Sequence, residues 1–233
     1  VQAAITAALL VGYWVVLTVV PVPGHGAGDL SKEGNLAAYV DRALLGAHVW
    51  RVDPRYDPEG VLSTLPALAT VLLGVLAGHY LRHRPPSPGV SGALALAGIA
   101  GVGVGQLWSL WFPVNKALWT SSYVMLTGGL ALLALAACHW LLEVRGHRRW
   151  AAPFVFLGVN ALALYFLSSL AARLLVLIRI GADGTTLHAA LFERLFAPWA
   201  TPANASLAWA VAYVFSWWLA MWMLDRRGVR LRL

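Results

Sequence analysis

Six stretches of this 233-residue chain are apolar over about the 20 residues that a helix needs to cross a bilayer core. They fall at about 1–21, 60–81, 89–111, 117–142, 153–178 and 204–224. Inside hydrocarbon every backbone N–H and C=O must be satisfied within the protein, so runs of this length read as helices. The residues are 60% hydrophobic and 12% charged, which excludes a water-soluble domain. The expected fold class is therefore all-α, a polytopic transmembrane helical bundle of about six spans. One membrane domain covers 1–233. Twelve tryptophans suit it, because indole rings favour the lipid–water boundary.

The net charge of +7 does not point to nucleic acid, because the cations sit in short connections. Arg82 and Arg84 follow the second run, and Arg145, Arg148 and Arg149 follow the fourth. The tail carries Arg226, Arg227, Arg230 and Arg232. The alternate connections are neutral or acidic: 21–59 has four cations against six acidic residues, and 112–116 has one lysine. By the positive-inside rule both ends of the chain are expected in the cytoplasm, and 22–59 forms an outer loop. The chain begins Val1-Gln2-Ala3, without methionine or a signal-peptide pattern, which reads as a segment of a longer protein. Cys138 lies alone in an apolar run and reads as a packing residue.

Within the outer loop, Leu36, Tyr39, Val40, Ala43, Leu44 and Ala47 recur at helical spacing, with Asp41 and Arg42 interrupting. This predicts a short amphipathic helix at the membrane surface, followed by His48, Trp50 and Arg51. Tyr56-Asp-Pro-Glu-Gly60 then reads as a helix start, with Asp57 as N-cap, Pro58 at the first position and Glu59 at the positive dipole end. Leu187, Leu191, Phe192, Leu195 and Phe196 predict a second interface helix around His188, Glu193 and Arg194.

Phe112-Pro-Val-Asn-Lys-Ala-Leu-Trp-Thr-Ser-Ser-Tyr-Val124 is the most polar interruption between apolar runs. Pro113 suits a helix's first turn, which would place Lys116 at the positive end of the dipole, a cost of ~0.3–1 kcal/mol when exposed. Two readings stand. Lys116 and Asn115 serve an anionic group near free N–H groups, or Lys116 snorkels while Trp119 and Tyr123 anchor the interface. Gly98, Gly101, Gly103, Gly105, Gly128 and Gly129 are assigned to close helix packing, with Gln106 as an interhelical hydrogen bonder. Asn160, about 10 Å deep by helical rise, is either interhelical glue or a cavity lining.

No P-loop, G-x-S-x-G, H-E-x-x-H or cysteine pair occurs, and no histidine pair among the outer three has zinc-ligand spacing, so no metal is expected.

Four ordered stretches carry a family resemblance. Tyr39-Val-Asp-Arg-Ala-Leu-Leu-Gly-Ala-His48 resembles an I-D-R-x-x-L-G-x-x-H pattern, and Tyr56-Asp-Pro-Glu-Gly60 resembles a segment after a luminal loop. Phe112-Pro-Val-Asn-Lys-Ala-Leu-Trp119 with Ser122-Tyr-Val124 resembles P-V-N-K-x-L-W-x-x-S-Y-V, and Gly158-Val-Asn160 with Tyr165 resembles a weaker G-x-N motif. Together they are similar to heparan-α-glucosaminide N-acetyltransferases and their bacterial relatives, transmembrane acyltransferases. That family's catalytic-histidine motif, H-x-x-W-N-G, is not found here, and His48 matches a different family position. The chain therefore resembles the C-terminal part of a larger acyltransferase-like domain.

The resemblance implies an acetyl or acyl group passed from acetyl-CoA on the cytoplasmic side to an amino sugar or envelope glycan outside. Partners would be the lipid bilayer, acyl-CoA and that acceptor, in a bacterial inner membrane; a homo-oligomer is compatible with this. It implies Asn115 and Lys116 as stabilisers of the oxyanion or acceptor, and His48, Asp57, Glu59, Trp119 and Asn160 as acceptor-side residues. Arg145, Arg148 and Arg149 would hold the CoA phosphates, unless they serve topology alone. A transporter or flippase component, or a non-catalytic scaffold, is the alternative.

Overall fold

The computed structural model describes residues 1–50, 53, 55, 57, 59–180 and 184–229. Arg51, Tyr56, Pro58, Arg230 and Arg232, on which the sequence reading draws, lie outside the described residues. The chain divides into two compact units, Val1–His147 and Arg148–Leu233.

The first unit contains α1 (Gln2–Val19), α2 (Leu36–Leu45), α3 (Thr64–Arg82), α4 (Pro88–Trp108) and α5 (Ser121–His139), the last prolonged by a π-helical turn, Trp140–Val144. The second holds α6 (Ala152–Val159), α7 (Ala161–Leu177), the short hairpin β1 (Arg179–Ile180) and β2 (Thr185–Thr186), α8 (Leu187–Leu195) and α9 (Pro202–Arg226). Helices α1, α3, α4, α5 with its π turn, and α9 are long and apolar enough to cross a membrane. The expected fifth span is broken: α6 and α7 meet at a 66° bend. Asn160, fully buried, is the residue at the break.

Helix α4 starts as its sequence dictates. Ser87 Oγ accepts the Val90 N–H at 3.3 Å and Pro88 takes the first turn, where no donor is lost. Helices α4 and α5 then touch backbone to backbone. A Cβ on Gly129 would lie 2.5 Å from Val102 N, and one on Gly105 2.5 Å from Leu126 N. Gly98 and Gly101 face Gly129 in the same seam, while Gly103 has open space and Gly128 meets Leu73 of α3. In a membrane, where lipid competes for apolar contact, such close approach is a main source of helix affinity. Ser91 Oγ and His139 Nδ1, 2.7 Å apart, join the same pair of helices. Gln106 does not: its side chain is exposed, without a hydrogen bond among the described residues.

Helix α1 packs against α3 and α5 through Leu10, Ala69 and Val124. Tyr13 and Leu17 bury Phe112 completely, and Leu30 and Leu62 from the outer segment pack against that cluster. In the second unit, Tyr213 of α9 donates to Ser168 O of α7 at 2.6 Å, and His188 of α8 meets Trp209 edge-on at 4.8 Å. Helix α8 is the expected second amphipathic helix. The hairpin before it has two-residue strands, too short to show a period in sequence.

One expected helix start is corrected. Helix α3 begins at Thr64, so Asp57 is not its N-cap and Glu59 is not in its first turn; the Ser63 and Thr64 hydroxyls instead donate to Gly60 O. The outer helix α2 forms, capped by Asn35, whose Oδ1 accepts the Ala38 N–H at 2.7 Å. It buries Leu36, Ala37, Ala38 and Asp41 against the protein, while Tyr39, Ala43, Leu44 and Ala47 of the apolar set are exposed.

The seam sets a clear expectation for stability. Gly129→Ala should lower the thermal midpoint in detergent by the equivalent of about 1–3 kcal/mol. Gly103→Ala, with no atom within 4 Å of the new methyl, should leave it equal or raised.

Candidate functional site

The segment between α4 and α5 is not the start of a helix. Residues 113–115 have no regular secondary structure, 116–119 form a turn, and α5 begins only at Ser121. Pro113 and Lys116 therefore do not occupy a first helical turn, and the dipole argument for Lys116 falls. Side chains hold the turn instead. Asn115 Oδ1 accepts from the N–H groups of Ala117 (2.9 Å) and Leu118 (3.2 Å), and its carbonyl accepts from Thr120 N–H at 3.1 Å. Thr120 Oγ1 accepts the Asn115 N–H at 3.0 Å and lies 3.0 Å from Pro113 O and 3.1 Å from Ser122 Oγ. A hydroxyl has one proton, and the Pro113 carbonyl can only accept. Thr120 gives its proton there, so Ser122 must be the donor to Thr120. Such side-chain bonds compete with helical ones, which is why the helix starts late.

Two further bonds tie this turn to α1. Tyr13 donates its hydroxyl proton to Leu118 O at 2.6 Å, and Ser121 donates to Leu10 O at 2.6 Å. Thr120, Ser121 and Ser122 are fully buried, while Lys116 is exposed and has no ion pair among the described residues. Trp119 has a positive φ of 52°, a conformation that costs a side-chain-bearing residue roughly 1–3 kcal/mol and clusters at functional sites. Its Nε1–H donates to Thr70 Oγ1 at 3.1 Å, and its ring meets Tyr123 edge-on at 5.3 Å.

Trp119, Tyr123 and Thr70 close one end of an apolar groove of about 520 Å³ between α3 and α5. Small residues, Gly74, Ala77, Gly78 and Gly128, form its floor, and it runs to Leu81 and Leu135. Arg82 and Arg84 follow directly on α3. Arg84 lies over the Tyr80 ring at 4.2 Å, and Arg145 over Trp140 at 5.2 Å.

On the other side of Tyr13 lies a residue that the sequence reading passed over. Asp41 is 1% exposed, its Oδ1 accepting the Val61 N–H at 2.8 Å. Gly60 is obligatory beside it, since a Cβ there would sit 2.0 Å from Asp41 Oδ2. The carboxylate is within electrostatic reach of Tyr13. Burial pushes the Asp41 carboxyl above the usual range, Asp57 adds to the rise, and the Val61 N–H and Arg42 oppose it. A signal existed: Asp41 stands four residues after Ala37 and three after Ala38, on the face that α2 buries.

The expected acceptor-side residues occupy the outer segment. His48 is exposed, its Nδ1 3.3 Å from Leu45 O. Asp57 is a local organiser, accepting from Trp50 N–H (3.1 Å) and Glu59 N–H (2.9 Å), and Glu59 is exposed. Beside them Arg55 binds Asp53 and Glu33, both at 2.7 Å, and Lys32 reaches Asp53 at 3.3 Å. Hydrogen bonds from the Arg55 side chain hold the Asp53 carboxyl well below the usual carboxylate range. Thus one turn brings Asn115, Lys116 and Trp119 together, and one loop holds His48, Asp57 and Glu59. Arg145 belongs to the first unit; Arg148, Arg149 and Asn160 belong to the second. Among the described residues, no three of His, Cys, Asp and Glu converge as metal ligands would.

The two carboxylates respond oppositely to pH. A raised folded-state pKa at Asp41 contributes stability below about pH 4 that is lost as pH rises through its folded value. Asp41→Asn keeps the acceptor for Val61 N–H, so its thermal midpoint near pH 7 should equal or exceed that of the parent, with a flatter pH profile. Asp53→Asn should act in the other sense: its depressed pKa contributes above about pH 4 and is lost on acidification, so the variant loses ion-pair order near neutrality, read as faster hydrogen exchange in 32–55. Thr120→Val should lower the midpoint by about 1–3 kcal/mol; Lys116→Ala should leave it unchanged.

No family model matches the chain. It is similar to human heparan-α-glucosaminide N-acetyltransferase, 30% identical over 188 residues that cover 67% of this chain and 28% of the human protein. The mouse protein of the same name is 29% identical over 192 residues, covering 69% of this chain and 29% of its own length. The chain thus spans less than a third of the length of these curated relatives. With helices long and apolar enough to cross a membrane, the chain is similar in sequence to a part of the heparan-α-glucosaminide N-acetyltransferases.

Proposed function

We propose that this chain forms part of a membrane acyltransferase that moves an acetyl group from acetyl-CoA, on the cytoplasmic face, to an amino sugar or envelope glycan on the outer face. The observation that carries this reading is the Asn115–Thr120 turn, whose Trp119 lines the α3–α5 groove and whose Leu118 carbonyl is held by Tyr13 of α1. The groove's length suits the donor's arm: from Thr70 to Leu81 is about 16 Å of helix rise. In this reading the pantetheine chain lies along Gly74, Ala77 and Gly78. The thioester reaches Trp119, and the donor's phosphates meet Arg82, Arg84 and Arg145.

The acceptor approaches from the outer segment, where His48, Asp57 and Glu59 offer groups for sugar hydroxyls and the amine. In the reaction the amine nitrogen bonds to the acetyl carbonyl carbon, the C–S bond breaks, and the coenzyme A sulfur leaves as thiolate. The amine gives up a proton to a base that the part of the protein outside this chain supplies. The Lys116 ammonium and the Asn115 Nδ2–H₂, the half of that amide not used in the turn, stabilise the carbonyl oxygen as it gains charge. Asp41 is a positioning residue: it fixes Gly60–Val61 and faces Tyr13, which holds the turn.

The test uses the full-length protein in proteoliposomes with labelled acetyl-CoA and glucosamine. Wild type transfers label. Lys116→Ala lowers kcat by about 10²-fold, the scale of losing one oxyanion donor. Gly78→Val has open space at its Cβ and narrows the groove, so it should raise KM for acetyl-CoA with little change in kcat. No transfer by wild type, or Lys116→Ala indistinguishable from it, overturns the reading.

The broken α6–α7 helix favours a second reading, a transport pathway, since discontinuous helices line many substrate routes. Sugar flux without acetyl transfer in the same vesicles would select it.

A further inference from the structure

Helix α9 borders two adjoining cavities, both within the second unit. One, of about 580 Å³, lies at its basic end and is lined by Arg148, Phe156, Trp222, Asp225 and Arg226. The other, of about 430 Å³, is almost wholly apolar and is lined by Val211, Val214 and Phe215. Trp218 lines both, and Val211, Val214, Phe215, Trp218, Trp222, Asp225 and Arg226 recur at helical spacing on one face of α9, so the two cavities adjoin along that face as a charged end and an apolar end. From Val211 to Arg226 they follow about 22 Å of helix, close to the ~20–22 Å depth of one bilayer leaflet with its headgroups.

The charged end has a specific chemistry. Two guanidiniums and one carboxylate give it a net charge of +1. Arginines are suited to phosphate because their planar fork donates two parallel hydrogen bonds. Arg226 is already oriented, with its guanidinium 5.0 Å from the centroid of Trp222. Helix α6 starts at the same cavity without a side-chain cap, adding the positive end of its dipole. Asp225, in the same lining, can accept from a headgroup hydroxyl. The nucleotide end of a coenzyme A fits less well, since its several phosphates exceed a net charge of +1.

We propose that these two adjoining cavities are a binding site for an anionic phospholipid. The phosphodiester lies between Arg148 and Arg226, a headgroup hydroxyl donates to Asp225, and an acyl chain follows Trp218, Phe215, Val214 and Val211. Basic pockets between helices at the membrane surface recognise anionic headgroups in this way. The site is independent of acyl transfer and holds whether or not that reading does.

The test is native mass spectrometry of the full-length protein in mild detergent, supplied with equal phosphatidylglycerol and phosphatidylethanolamine. Wild type should retain phosphatidylglycerol over phosphatidylethanolamine by about tenfold. Arg148→Gln with Arg226→Gln should abolish that preference, and Arg148→Lys with Arg226→Lys, which keeps the charge and guards against misfolding, should keep part of it. Val214→Trp, filling the apolar end, should reduce retention with both arginines intact. Equal retention of the two lipids by wild type, or an undiminished preference in the glutamine variant, overturns the proposal. Displacement of the lipid by millimolar coenzyme A also overturns it, by assigning the arginines to the donor's phosphates.

Discussion

Two hydrogen bonds between α1 and the α4–α5 connection underlie the architecture of the first unit. Tyr13 donates to Leu118 O and Ser121 donates to Leu10 O, both at 2.6 Å. Neither acceptor is ordinary. Leu118 lies in a non-helical turn whose carbonyl would otherwise be orphaned beside apolar side chains. Leu10 lends the second lone pair of a helical carbonyl to the incoming strand of chain. Buried away from water, an unmet carbonyl costs about 1–3 kcal/mol, so irregular backbone is kept there only when the protein itself meets its bonds. Asn115, Thr120, Ser122, Tyr13 and Ser121 together meet that condition for residues 113–121.

The turn gives the two sides of the unit a common wall. Its strained Trp119 faces the α3–α5 groove, and its Leu118 carbonyl faces Tyr13 and, beyond that, the buried Asp41. A substitution in the turn thus acts on the groove and the outer segment together, which is how the proposed donor and acceptor sides would be held at one fixed separation. Asp41 fills the place of a Gly60 Cβ and binds the Val61 N–H, so it joins α2 to the chain entering α3.

Much of this was legible in the sequence, and where it was not the reason is physical. Long apolar runs reported the spanning helices because hydrophobicity sums over ~20 residues. The glycines of α4 and α5 reported a seam, although only the structure separates Gly129, which touches backbone, from Gly103, which touches nothing. Pro113 misled. A proline fits the first helical turn, yet the competing bonds of Asn115 and Thr120 are long-range within the turn and have no periodic signature. Helix α2 formed where its spacing predicted a helix; the burial of Asp41 had no local sign, because its partner, the Val61 N–H, lies 20 residues away in sequence. The break at Asn160 has no glycine or proline at its centre to announce it.

The α4–α5 seam also bears on how the protein is made. Its contacts, from Gly98 and Gly129 to Ser91 and His139, are all internal to two consecutive helices, joined by residues 109–120. Because α1 and α3 precede this pair in the chain and emerge from the ribosome first, the seam closes as a self-contained hairpin against helices already made, and its connection meets Tyr13 and Leu10 as soon as it forms.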